Sequence, residues 1–156
     1  MFGKILVCVD GSELAEQILP YVTEVASRFD SKVVLLQIVT IPSAMFAMTS
    51  GVEAGPPPPE VTIEQVKMEE KTALEYMERM AQPLLQKGVD VEWITIQGVP
   101  HREIVRYARE NQVELIAMTT HGRSGLGRVV YGSVVDFVMR KTGLPMLVIK
   151  PQSPKE

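Results

Sequence analysis

The sequence predicts an α/β fold in one domain: a doubly wound, five-stranded parallel sheet with helices on both faces. Three observations lead there. Short apolar runs rich in β-branched residues alternate with amphipathic helical segments along all 156 residues, and strands covered on both faces read as such continuous runs. The length is about that of one domain. A glycine-rich stretch, Met118-Thr-Thr-His-Gly-Arg-Ser-Gly-Leu-Gly-Arg-Val-Val-Tyr-Gly-Ser133, joins the fourth strand pattern to the last helix pattern.

Ile5-Leu-Val-Cys-Val9 is the first strand, and Asp10-Gly-Ser12 breaks it. Leu14, Ile18, Val22, Val25 and Phe29 then recur at helical spacing, with Glu13 and Glu16 in the first turns where they complement the helix dipole. Pro20 falls inside that pattern and predicts a kink. Val33 to Val39 is the second strand. Across about residues 42–60, Pro42, Gly51, Gly55 and the run Pro56 to Pro59 exclude regular structure and predict a mobile, proline-rich loop. Met45, Phe46 and Met48 make that loop unusually apolar.

A long helix is predicted from about Val61 to Lys87, with Leu74, Met77, Ala81 and Leu84 on one face and Gly88 as its stop. Val89 to Ile96 alternates with period two, which suits a strand near a sheet edge. Pro100 opens the next helix, whose core face is Ile104, Val105 and Ala108. His101, at its start, is expected to be solvated. Leu115 to Met118 is the fourth strand. Val130, Val134, Val135 and Val138 stripe the last helix, Gly143 ends it, and Met146 to Ile149 is the fifth strand. This rhythm gives the strand order 3-2-1-4-5, a Rossmann-like arrangement. Ligands bind such sheets outside the carboxyl ends of the strands, where the order reverses between strands one and four. Asp10 and the glycine loop both arrive at that crevice.

Bulk properties exclude several classes. The net charge of −3 gives no global basic field for nucleic acid or an anionic membrane. Cys8 is the one cysteine, which rules out an intramolecular disulfide and fits a buried, inert thiol. No apolar run is long enough to span a bilayer, and the start carries no leader pattern, so a cytoplasmic protein is expected. The loop is not a Walker A motif, having no Gly-Lys-Ser/Thr. It is not a dinucleotide fingerprint either, because Gly125-Leu-Gly127 lacks the third glycine.

What remains is an anion cradle. Gly122, Gly125, Gly127 and Gly132 are expected to allow positive φ and close approach of the backbone to a ligand. The first turn of the following helix offers unpaired N–H groups and a positive dipole end. Arg123 and Arg128 lie in the loop, and Ser133 adds a hydroxyl. Asp10 reads either as a ligand contact or as an Asx turn and helix cap. No spacing gathers Ser124, His121 and Asp10 into a hydrolytic triad.

The chain resembles the universal stress protein family, from Ile5-Leu-Val-Cys-Val-Asp-Gly-Ser12 to Pro145-Met-Leu-Val-Ile-Lys150. Nucleotide-binding members carry Gly-x2-Gly-x9-Gly-Ser/Thr. Gly122, nine residues, then Gly132-Ser133 match its second half, while Thr119 stands where the family has its first glycine and narrows the room for the ribose or α-phosphate. The resemblance implies ATP or AMP as ligand, with any Mg or Mn held through the phosphates. Asp10 would hold the ribose hydroxyls, Ile38 would offer backbone hydrogen bonds to adenine, and Gly122, Gly132 and Ser133 would cradle the phosphates. The implied binding set also takes in Cys8, Val9, Gly11 and Ser12 around the first strand's end. Met118, Thr119, His121, Arg123, Ser124, Gly125 and Val134 complete it. Members commonly dimerise through the last strand, here Met146 to Ile149. Two functions stay open: a regulatory nucleotide-binding protein of the stress response without rapid turnover, and a slow ATPase or nucleotidyl transferase in which His121 or Asp10 positions water.

Overall fold

The computed structural model describes residues 1–40, 63–120 and 132–152. Five strands, β1 (Lys4–Val9), β2 (Lys32–Val39), β3 (Asp90–Gln97), β4 (Leu115–Thr119) and β5 (Met146–Ile149), form one parallel sheet. Its order is β3-β2-β1-β4-β5, as expected. The helices are α1 (Glu13–Glu16), α2 (Leu19–Phe29), α3 (Ile63–Gln86), α4 (Pro100–Glu110) and α5 (Ser133–Thr142). Among the described residues no helix is long and apolar enough to cross a membrane. The proline-rich loop expected at 42–60 lies outside them.

Each strand sends alternate side chains to opposite faces, and the two faces carry two cores. Ile5, Val7, Val33, Leu35 and Ala117 pack under α1, α2 and α3 with Ile18, Val22, Met77 and Leu84. Leu6, Cys8, Val34, Leu36, Ile116 and Met118 pack under α4 and α5 with Ile104, Val105, Val135 and Val138. Both faces are thus covered, which explains why β1 and β4 read as apolar runs and why Gln37 alone interrupts Val33 to Val39 of β2. β3 is half-exposed along most of its length, as its edge position and alternating sequence require.

Three expectations change. Pro20 breaks the first helix instead of kinking it: α1 ends at Glu16, and Pro20 sits in the first turn of α2. There its missing N–H is no loss, since first-turn amides have no intrahelical acceptor. Leu74 is 39% exposed, and the buried stripe of α3 runs instead through Ala73, Tyr76, Met77, Met80, Ala81 and Leu84. His101 is half-buried, edge-on against the Phe137 ring at 4.5 Å, because α4 packs along α5. Gly88 stops α3 as predicted, at φ 77, a left-handed conformation natural to glycine.

Candidate functional site

β1 ends beside a tight turn. Gly11 adopts φ 81, which folds the chain so that Ser12 can serve Asp10. The Asp10 Oδ1 accepts from the Ser12 N–H at 3.0 Å and from the Ser12 hydroxyl at 2.6 Å. Ser12 Oγ in turn accepts from the Ala15 N–H at 3.2 Å, capping α1 from an extended backbone. Asp10 is therefore fixed by its own turn, as the Asx reading expects, and its half-buried carboxylate also lines the cleft at the carboxyl end of the sheet.

Across that cleft stands the start of α5. Gly132 is its N-cap, at φ −58 and ψ 150, and its carbonyl accepts from the Asp136 N–H at 3.0 Å. This departs from the expectation of positive φ at Gly132. Any L-residue adopts this conformation, so the glycine matters here for its missing side chain, which leaves the helix end open to a ligand. The first-turn amides from Ser133 onward have no acceptor within the helix and carry the positive end of its dipole.

The cleft between them measures about 840 Å³, within the range of small-molecule sites. Of the predicted set, Cys8, Val9, Asp10, Gly11, Ile38, Met118, Thr119, Gly132, Ser133 and Val134 line it. Ser12 is not in the wall; it acts on Asp10 from behind. His121, Gly122, Arg123, Ser124 and Gly125 lie outside the described residues. Burial pushes the Cys8 thiol up to about 12, so it stays protonated and inert as a nucleophile at neutral pH. Thr119, in the position of the family's first glycine, is buried at the end of β4.

A second wall was not legible in the sequence. Met68, Thr72, Ala73, Tyr76 and Arg79 of α3 line the cleft, as do Gln37 from β2 and Ile104 from α4. Tyr76 is buried, and its hydroxyl donates to the Ser12 carbonyl at 3.1 Å. Arg79 lies over the Tyr76 ring, 5.3 Å from its centroid, and reaches Glu16 at 3.4 Å. Burial is the main cause that raises the Tyr76 phenol above its ordinary range, and the nearby Glu16 and Asp10 carboxylates add to it. One signal pointed here: Tyr76 sits in an apolar stripe with Ala73 and Met80, and a buried tyrosine hydroxyl needs a partner. The site thus has Asp10 and the α5 amides on one side and a mixed wall along β2 and α3. That wall is apolar at Leu36, Ile38, Val39, Met68 and Ala73 and charged at Glu69, Glu75 and Arg79. Such a cleft suits a ligand with an anionic group at the α5 end and a ring that can lie against the apolar side chains of β2.

The sequence profile of the universal stress protein family matches residues 1–150. The chain belongs to the universal stress protein family. Universal stress protein MJ0577 of Methanocaldococcus jannaschii is 32% identical over 159 residues, covering 96% of either chain. Universal stress protein YxiE of Bacillus subtilis is 30% identical over 151 residues, covering 96% of this chain and all of the relative. The solved structure of MJ0577 superposes with a TM-score of 0.80 at 29% identity, covering 98% of this chain and 99% of that one. Two more distant universal stress proteins share the fold. One, solved in complex with cAMP, has a TM-score of 0.62 at 18% identity and covers 97% of this chain and 98% of its own. The other, from Arabidopsis thaliana with AMP bound, has a TM-score of 0.64 at 17% identity, covering 96% of this chain and 92% of its own.

Proposed function

We propose that this universal stress protein binds an adenine nucleotide, ATP or AMP, in the cleft at the carboxyl end of its sheet, and acts as a cytoplasmic regulatory protein without rapid turnover. One observation carries the reading: the Asp10 carboxylate and the open start of α5 at Gly132-Ser133 face one cleft at the β1/β4 switch point. A carboxylate accepts from a pair of sugar hydroxyls, and helix-terminal amides donate to phosphate oxygens. The apolar side chains of Leu36, Ile38 and Val39 at the end of β2 suit the base. The AMP and cAMP held by the two distant relatives support the adenine assignment. Mg or Mn, where it accompanies ATP, is held by the phosphate oxygens. We also assign the exposed edge of β5 to a homodimer contact, since an apolar edge strand is protected by pairing.

Mass spectrometry of ligand released from freshly purified protein tests the first part, with an adenine nucleotide as the expected species. Calorimetry on Asp10→Ala tests the second. ATP and AMP should weaken alike, by roughly ten- to a hundredfold for one charge-assisted contact. Unchanged affinity for both would remove the ribose role from Asp10.

A further inference from the structure

α4 and α5 pack side by side, and between them lies a groove of about 370 Å³ that shares no lining residue with the cleft. Its floor is apolar: Val105 is buried, and Phe137 is half-buried with its ring edge-on to His101. Its rim is cationic. Arg102, Arg106 and Arg109 recur at i, i+4 and i+7, which sets them on one side of α4. Lys141 of α5 adds a fourth cation, and all four are exposed. Glu110 is the one carboxylate among the described residues that line the groove. In a chain of net charge −3 this patch is local.

The fold accounts for part of that charge. Arg106 pairs with Glu103 inside α4. Arg109 lies in the last turn of α4 and donates to the Lys141 carbonyl at 2.6 Å, tying the two helix ends together. Lys141 lies in the last turn of α5, where a cation complements the dipole, and its ammonium stands 6.0 Å from the centroid of the Phe137 ring. Arg102 has no such account. It sits in the first turn of α4, at the positive end of the dipole, four residues from a second arginine. Among the described residues no carboxylate pairs with it or with the Lys141 ammonium.

We propose that this groove docks an acidic segment of another protein: a large apolar side chain rests on Val105 and Phe137, and carboxylates on either side of it meet Arg102 at one end and Arg109 and Lys141 at the other. The seven residues from Arg102 to Arg109 span about 10 Å along α4, the length of three residues of extended chain. One apolar residue flanked by acidic ones fits that span. Arginine and aromatic side chains are enriched where proteins meet, and arginine clusters hold acidic motifs. A nucleic-acid backbone has no use for the apolar floor and would enter the field of a net negative protein. The groove lies apart from the cleft, so this contact stands whether or not the cleft holds a nucleotide.

Amide chemical shifts, followed by NMR as the peptide Glu-Glu-Phe-Glu-Glu is added, test the assignment. Wild type should show saturable shifts at Arg102, Arg106, Phe137 and Lys141, half-complete at about 1 mM peptide or below in low salt. Glutamine in place of the peptide's glutamates, or alanine in place of its phenylalanine, should weaken binding roughly tenfold. Arg102→Ala combined with Lys141→Ala should do the same, the worth of two exposed ion pairs. The remaining resonances of that variant should keep their positions and so report an intact fold. No saturable shift in the wild-type groove up to about 10 mM peptide overturns the inference with no variant needed. Equal binding of the glutamine peptide, or a folded double variant that titrates like wild type, overturns it too. Tighter saturation of the same amides by a thymidine oligonucleotide would replace the acidic protein segment with nucleic acid.

Discussion

The Tyr76 hydroxyl donates to the Ser12 carbonyl at 3.1 Å, across 64 residues of sequence. That bond ties the middle of α3 to the cap of α1, and the cap in turn holds the Asp10 carboxylate. A residue in one wall of the cleft thereby helps to orient a carboxylate in another.

Tyr76→Phe should therefore lower stability and weaken binding together. The Ser12 carbonyl keeps a second donor, the Ala15 N–H at 3.1 Å, so the stability loss should be about 0.5–1 kcal/mol. AMP affinity should fall by a few-fold through loosening of Asp10. Urea titration and calorimetry on the same preparation check both. An unchanged affinity would show that the turn holds Asp10 without help from α3.

Gly132→Val should abolish AMP binding while sparing the fold. The backbone at φ −58 and ψ 150 accepts a β-branched residue without strain. The lost cap preference costs about 1 kcal/mol, or some 2–4 °C in Tm. The added side chain stands at the open end of α5. Normal AMP binding by a folded Gly132→Val would place the phosphate elsewhere.

Alkaline stability should depend on Cys8. Burial pushes its thiol from 9.0 up to about 12, and the Tyr76 phenol is raised as well. Above about pH 9 the unfolded chain loses the thiol proton while the native protein keeps it, so the unfolded state binds fewer protons. The stabilisation is fully present below pH 9 and is lost as pH climbs from there toward 12. The thiol alone should remove about 1 kcal/mol by roughly pH 10. Urea midpoints from neutral pH upward should decline less steeply in Cys8→Ala than in wild type. Parallel declines would mean that the thiol is not the titrating group.

Val148→Pro should separate dimerisation from folding. β5 turns alternate peptide groups toward β4: the Pro145 and Ile149 carbonyls accept from Ile116 and Thr120 N–H. The same alternation points the Val148 N–H away from the sheet. Proline is tolerated on an edge where it removes an outward donor. A folded monomer by sedimentation is expected, whereas a dimer of unchanged strength would place the contact elsewhere. Charged substitutions at Leu147 or Ile149 would serve less well, because they set a charge against the core beneath α1 to α3, whereas proline at 148 keeps an apolar ring against the core beneath α4 and α5.

The amino-acid sequence by itself determined the elements, their order and the crevice. Strands covered on both faces must be apolar throughout, helices with one buried face must show a stripe, and right-handed crossovers leave few ways to assemble them. Asp10 and Gly132 were legible because each lies directly after a strand or before a helix, where local chemistry fixes the backbone. Only the tertiary structure decided what closes the cleft from above. Tyr76, Arg79 and Gln37 sit inside regular elements, where a stripe or an alternation records burial and not what lies opposite. Pro20 shows the same limit from the other side: kinking and restarting a helix are both open to a proline, and packing chose the restart.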